Sequence, residues 1–377
     1  MSWRPTSCKP DRTRPTVNVL YFAIIQRPRL ERSARQRPNL VNRVDPGIGE
    51  DILINAAILG LGRWGSILVD AVHNRSDKIR FTHAIVRSPE NYRDIAGRYE
   101  LSLGTDYAAV LADPGIDAVV ITTPHSQHAG QCLAAAAAGK HILCEKPFAL
   151  TLDEARTVFA AADKAGVHCV VGFQRRLLDA YIEMYQRLES GAIGTVYHVE
   201  ANQSASAGLG FAADSWRAQP GEFRAGAMGG HGIHVLDAMI GLFGDIAAVN
   251  ATVRRHVLAV NVDDTTFLTL DFANGMTGYM GTLLATAPAQ RFQVFGTAGW
   301  MEIRDFGRFE LRPVEGEPEV IEFDPAGVER AELERFADTI AGVTTFPVSR
   351  QQALHGQAVF DAIAQSAELN QRVEVGA

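Results

Sequence analysis

Ile52-Leu53-Ile54-Asn55-Ala56-Ala57-Ile58-Leu59-Gly60-Leu61-Gly62-Arg63-Trp64-Gly65-Ser66-Ile67-Leu68-Val69-Asp70-Ala71-Val72 reads as strand, turn and helix in immediate succession. The residues before Gly60 are mostly apolar, as in a strand buried on both faces. Gly60 to Gly65 then spell G-x-G-x-x-G. The first glycine of such a turn permits the tight bend, the second lets backbone approach a pyrophosphate, and the third lets the helix sit close to the sheet. The helix start adds free N–H groups and a partial positive charge. A purely structural glycine turn has the same spelling, but the flanking strand and helix predict dinucleotide binding through Gly60, Gly62, Arg63, Trp64 and Gly65.

The next two units continue a βαβ rhythm. A second strand over 79–86 runs into Arg87-Ser88-Pro89-Glu90. A site for NAD usually places a carboxylate here to hold both ribose hydroxyls. Arg87 and Ser88 instead suit a 2′-phosphate, so NADP is expected over NAD, the alternative being a loop arginine with Glu90 serving the ribose. The third strand leads into Thr122-Thr123-Pro124-His125-Ser126-Gln127-His128 at the carboxyl edge of a parallel sheet, where open α/β folds bind ligands. Thr123, Pro124, His125 and His128 are therefore placed near the nicotinamide, though His128 could equally tie the loop to its helix. That helix, over 129–138, should stop at Gly139. A short strand then ends in Glu145-Lys146-Pro147, and the proline restricts Lys146 to extended backbone that can aim it across a cleft.

Outward from this core the composition is that of a globular protein: 377 residues, 47% hydrophobic and 21% charged, which excludes collagen-like, disulfide-dense and wholly disordered chains. No apolar run approaches the ~18 residues of a membrane-spanning helix. The net charge of −7 is unevenly spread. Residues 1–50 hold ten Lys/Arg against four Asp/Glu and six of the sixteen prolines, whereas the remainder is acidic and offers nothing general to nucleic acid phosphates. Residues 1–50 are expected to form a disordered or poorly ordered basic extension, a basic tethering arm being the alternative. The segment lacks the long apolar region and cleavage site of a secretory signal, and its prolines oppose a presequence helix. Cys8, Cys132, Cys144 and Cys169 show no paired spacing, which fits a reducing, cytoplasmic compartment.

Three segments together, Gly60–Gly65, Thr123–His128 and Gly139-Lys140-His141-Ile142-Leu143-Cys144-Glu145-Lys146-Pro147, resemble the glucose-fructose oxidoreductase / inositol dehydrogenase (Gfo/Idh/MocA) family. The resemblance continues through Val171–Arg176, Ser215-Trp216-Arg217 and Gly232–Asp237. It implies an α/β protein: a Rossmann, doubly wound parallel-sheet domain over 51–174, then an α+β domain over 175–377 with a large, mostly antiparallel open sheet. Alternating strands near 195–200 and 265–272, with a hairpin at Asn274-Gly275, agree with the second part. A sheet bare of helices on one face would need covering, so a homodimer or homotetramer through it is expected.

The activity implied is hydride transfer between NADP(H), or NAD(H), and a hydroxyl or carbonyl of a sugar, cyclitol or related polyhydroxylated molecule. The resemblance casts Lys146 and His234 as the catalytic pair and carries Glu145 to the cofactor site. Lys146 would orient the substrate oxygen and His234 would handle its proton, with Arg176, Trp216 and Arg217 lining the substrate side. One departure stands out: many members place an aspartate four residues before this histidine, and here that position is Gly230. His231 and Asp237 are the nearby candidates to replace it, Asp237 by orienting the His234 imidazole across one helical turn. Read as a set of three they could also ligate a metal, but the family chemistry needs none, and no metal is expected. Other readings are a retained-cofactor glycosidase or lyase without net redox and a non-catalytic nucleotide sensor.

Overall fold

The structure, a computed structural model, describes residues 52–219 and 221–376; the expectations for residues 1–50 lie outside it. Six strands, β1 (Ile54–Leu59), β2 (Ile79–Ile85), β3 (Ser102–Gly104), β4 (Ala118–Ile121), β5 (His141–Glu145) and β6 (Cys169–Gly172), form one sheet in the order β3-β2-β1-β4-β5-β6. Every pairing in it is parallel. This is the doubly wound dinucleotide-binding order. The connections carry α1 (Arg63–Val72), α2 (Arg93–Arg98), α3 (Tyr107–Ala112), α4 (His125–Ala137) and α5 (Leu152–Ala165). β4 is buried along its whole length, as a strand covered on both faces must be.

The chain then changes rhythm. After α6 (Asp179–Glu189) come β7 (Val196–Ser204), α7 (Ile233–Phe243), β8 (Ile246–Arg254), β9 (Thr265–Phe272), β10 (Thr277–Leu283), β11 (Ala289–Gly296), β12 (Gly299–Arg304), β13 (Arg308–Pro313) and β14 (Glu319–Glu322). α8 (Val328–Ile340), α9 (Arg350–Leu369) and β15 (Val373–Glu374) finish the chain. The nine-stranded sheet runs β14-β13-β12-β11-β7-β10-β9-β8-β15. Only the β7–β10 pair is parallel. Gly275, at φ +88°, makes the turn that lets β9 and β10 pair from Asp271–Thr277 outward.

In β9 the burial alternates residue by residue, Thr266, Leu268, Leu270 and Phe272 facing inward, so this sheet has one core face. Tyr181 and Met184 of α6, Leu236 and Met239 of α7, and Phe360 and Ile363 of α9 share the hydrophobic core against it. α8 goes elsewhere: Leu333, Phe336 and Ala337 join the core of the first sheet with Ile54, Leu68 and Val72. The chain therefore returns to its first half after finishing most of its second.

Candidate active site

The glycine turn meets the geometric demands of its spelling. Gly60 lies at φ +91°, in the left-handed region. A Cβ on Gly65 would fall 2.1 Å from the Gly60 carbonyl oxygen, so only glycine lets α1 start this close to the strand. Nothing stands within 4 Å of where a Gly62 Cβ would be, which leaves that backbone open to a ligand. The Thr122 hydroxyl donates to the carbonyls of Gly60 (2.6 Å) and Leu59 (3.0 Å) and fixes the bend from β4. No side chain caps the start of α1, so its first N–H groups remain available to an anion. These features fit a pyrophosphate. The Gly60 N–H donates to the Ile85 carbonyl, which brings the end of β2, and with it exposed Arg87 and half-buried Ser88, alongside the turn.

Beyond the turn opens a cavity of about 390 Å³ at the carboxyl edge of β1, β4 and β5. Glu145 and Lys146 enter it from the end of β5. Glu145 is buried; its Oε1 accepts from the Trp64 indole N–H at 2.6 Å and its Oε2 from the Lys146 backbone N–H at 3.3 Å. This bond ties α1 to the strand carrying Lys146. The Lys146 Nζ donates to the Gly230 carbonyl at 2.8 Å and so reaches across the cavity. Burial, opposed by Glu145 and reinforced by Arg175 and Arg217, pulls its pKa down to about 8.

The two histidines after β4 part company. His128 is fully buried, with Nδ1 2.8 Å from the Pro147 carbonyl and Nε2 2.9 Å from that of Thr123. It ties the ends of β4 and β5 together and so positions Lys146. His125 faces the cavity: its Nδ1 donates to the Glu222 carbonyl at 2.7 Å, and its ring packs edge-on to Trp216 at 4.9 Å. Burial, with the positive neighbours His128, Lys146 and Arg217, pushes its pKa down to about 3. The helix starts at His125 itself, four residues earlier than expected, with Pro124 just ahead of it.

His231 and His234 approach from a wide π-type turn over Met228–Gly232 and from the start of α7. Both line the cavity, and the Nδ1 of each is buried without a partner among the described residues. Burial first, then Arg175 and Lys146, holds His234 well below the ordinary histidine range. His231 is pushed to about 4, by burial and then by Lys146, Arg175 and Arg63.

Two assignments change. Asp237 does not orient His234. Its carboxylate takes Arg176 in a two-pronged ion pair, Nε to Oδ2 and Nη2 to Oδ1 both at 2.7 Å, and both residues are buried. Consequently Arg176 is not a substrate-side residue either. It turns away toward a separate apolar pocket against α6 and α7, and its neighbour Arg175 lines the active cavity in its place. The two arginines lie on the short 3-10 turn Gln174–Leu177, where adjacent side chains leave the axis about 120° apart and so reach different surroundings. The set His231, His234 and Asp237 is thereby broken up as a possible metal site. Trp216 and Arg217 do reach the cavity, the guanidinium lying 4.3 Å over the indole ring.

Gly230 has a physical reason to be glycine. A Cβ there would stand 2.8 Å from Cζ of Phe223, whose ring fills the space an aspartate side chain would take. Phe223, Arg175 and Gln174 are among the lining residues that spacing could not find. They come from a loop without periodicity and from a 3-10 turn whose phase the sequence leaves open.

Residues 54–173 match the family model for the GFO_IDH_MocA oxidoreductase family, NAD-binding Rossmann fold, and residues 181–302 match the GFO/IDH/MocA C-terminal domain. The chain is 32% identical over 261 residues to levoglucosan dehydrogenase of Pseudarthrobacter phenanthrenivorans, an overlap of 60% of this chain and 65%, just under two thirds, of that enzyme. It is 30% identical over 304 residues to D-xylose 1-dehydrogenase (NADP(+)) 2 of Haloferax volcanii, covering 78% of this chain and 91% of the relative. The crystal structure of aldose-aldose oxidoreductase from Caulobacter crescentus complexed with glycerol superposes with a TM-score of 0.77 at 25% identity, over 86% of this chain and all of that one.

Proposed function

The chain belongs to the Gfo/Idh/MocA family of NAD(P)-dependent oxidoreductases, and on that premise we propose that it moves a hydride between NADP(H) and a hydroxyl or carbonyl of a sugar- or cyclitol-like molecule. The observation that carries this reading is Lys146, held across a cavity that the glycine turn shares with two unpartnered histidine nitrogens. Gly60, Gly62 and Gly65 hold the pyrophosphate, and Arg87 and Ser88 hold the 2′-phosphate of NADP, with NAD as the weaker ligand. The nicotinamide, when bound, supplies the hydride donor or acceptor.

The proton is the protein's concern. An alcohol losing a hydride must also lose its hydroxyl proton, and the best acceptor has a pKa near the working pH. Lys146, at about 8, meets that condition. His234, driven far down by burial and by cations, is a poor base and serves instead as a neutral hydrogen-bonding partner for the same oxygen. The role first expected of His234 thus passes to Lys146, while Trp64 and Glu145 position it.

The test is a screen of sugars, cyclitols and their keto forms against NADP(H) and NAD(H), followed by nicotinamide absorbance. K146M should lower kcat by at least ~10² and leave NADPH binding near that of the parent. Turnover surviving in K146M would remove Lys146 from its role, and tighter NADH than NADPH binding would overturn the cofactor preference. The reading includes a cytoplasmic setting, supported by Cys132, Cys144 and Cys169 forming no disulfide among the described residues. It also includes a homodimer or homotetramer built on the outer face of the nine-stranded sheet.

A further inference from the structure

Charge in the cavity is one-sided. Arg63, Lys146, Arg175 and Arg217 line it, and the single lining carboxylate among the described residues, Glu145, is already taken by the Trp64 indole and the Lys146 backbone. Arg175 stacks on Phe306 at 4.5 Å and donates to the neutral Gln203 amide oxygen; Arg217 stacks on Trp216. Neither has an ion pair among the described residues. The contrast with Arg176, one residue on, is instructive: there the fold supplies Asp237 in two-pronged contact. A cation drawn partly out of water gains from a paired anion. Half-buried Arg175 and exposed Arg217 thus present guanidinium charge at the cavity that no carboxylate of the described residues neutralises.

Arg63 sits at the start of α1, where cofactor phosphates belong. Arg175 and Arg217 line the same cavity from the short 3-10 turns Gln174–Leu177 and Trp216–Ala218, with Gln174, whose buried Oε1 has no partner among the described residues and can accept from a hydroxyl. The cavity volume lies near the lower end of the ~300–1000 Å³ typical of small-molecule sites, which favours a compact ligand over a nucleotide-linked sugar.

Resting on the oxidoreductase reading above, we propose that the substrate is a sugar acid, whose carboxylate is taken by Arg175 and Arg217 while Lys146 and His234 face the reacting hydroxyl. A guanidinium presents parallel N–H donors to the two oxygens of a carboxylate, which a neutral hydroxymethyl group does not match.

The experiment uses matched pairs differing only in that group, D-glucuronate with D-glucose, D-galacturonate with D-galactose and D-gluconate with sorbitol. Binding to the NADP⁺-loaded enzyme is read by calorimetry and turnover by nicotinamide absorbance. In at least one pair the acid should bind about tenfold more tightly than its neutral partner, and R175M should collapse that ratio toward one while its melting temperature and NADPH affinity stay at parental values. R217Q provides the same readout should R175M fail to fold. Neutral members binding as well as or better than the acids, or no member of any pair binding to enzyme that does bind NADP⁺, overturns the sugar-acid proposal. Failure of the enzyme to bind either nicotinamide cofactor would strike the oxidoreductase reading itself.

Discussion

At the scale of single residues the site rests on a few substitutions of charge and volume. Phe223 is buried beside Phe211, Leu258 and Leu284, and its ring stands where a side chain at position 230 would begin. Introducing G230D therefore overpacks the site and should cost about 1–3 kcal/mol, read as a lowered melting temperature. F223A makes room, so the double variant should be more stable than the two separate losses predict. Strictly additive losses would show that the ring is not what excludes the aspartate. The glycines were legible from the sequence because backbone geometry dictates their identity, whereas Lys146 and Glu145 were picked out only by the family resemblance of the Glu145-Lys146-Pro147 stretch. Arg175 was not: two adjacent arginines in an irregular turn spell the same thing whichever one faces the cavity, and only packing against Asp237 decides that it is Arg176 that turns away.

Among the elements, parallel strands were legible as short apolar runs and the antiparallel ones as alternation, since burial on two faces or one writes different periods into a strand. The π-type turn over Met228–Gly232 left no periodic mark, since three of its five residues are glycines; it brings His231 to the same cavity as His234. α8 hides a further feature. Glu332 is fully buried on it, and neither carboxyl oxygen has a partner among the described residues. Burial, with Glu145, Glu329 and Asp237 adding to it, holds this carboxyl protonated well above the ordinary range. Since the unfolded chain releases that proton near pH ~4.3 and the folded one does not, stability falls as pH rises from there, at about 1.4 kcal/mol for each unit by which the group is raised. E332Q cannot ionise. It should melt like the parent near pH ~4 and at a higher temperature at neutral and alkaline pH; parallel curves across that range would show that Glu332 does not titrate abnormally.

For the molecule as a whole the outer face of the large sheet is the most ordered charge pattern. A row of Arg291, Arg304 and Arg308 lies across β11, β12 and β13, beside a row of Glu200, Gln293, Glu302 and Glu310. Arg291 pairs with Glu200 at 2.8 Å, and Arg308 and Arg312 both pair with Glu310 at 2.8 Å. A face striped with both signs can meet a copy of itself across a two-fold axis. Sedimentation velocity should report an assembly that R304E combined with R308E dissociates, and a parent that runs as a monomer would refute the arrangement. The path of the chain adds a different consequence. With α8 packed against α1 and the first sheet only after the second sheet is nearly complete, a chain cut after residue 174 would present Leu68 and Val72 to water and should melt at a lower temperature than the intact protein, the last fifty residues serving as a clasp on the half that was made first.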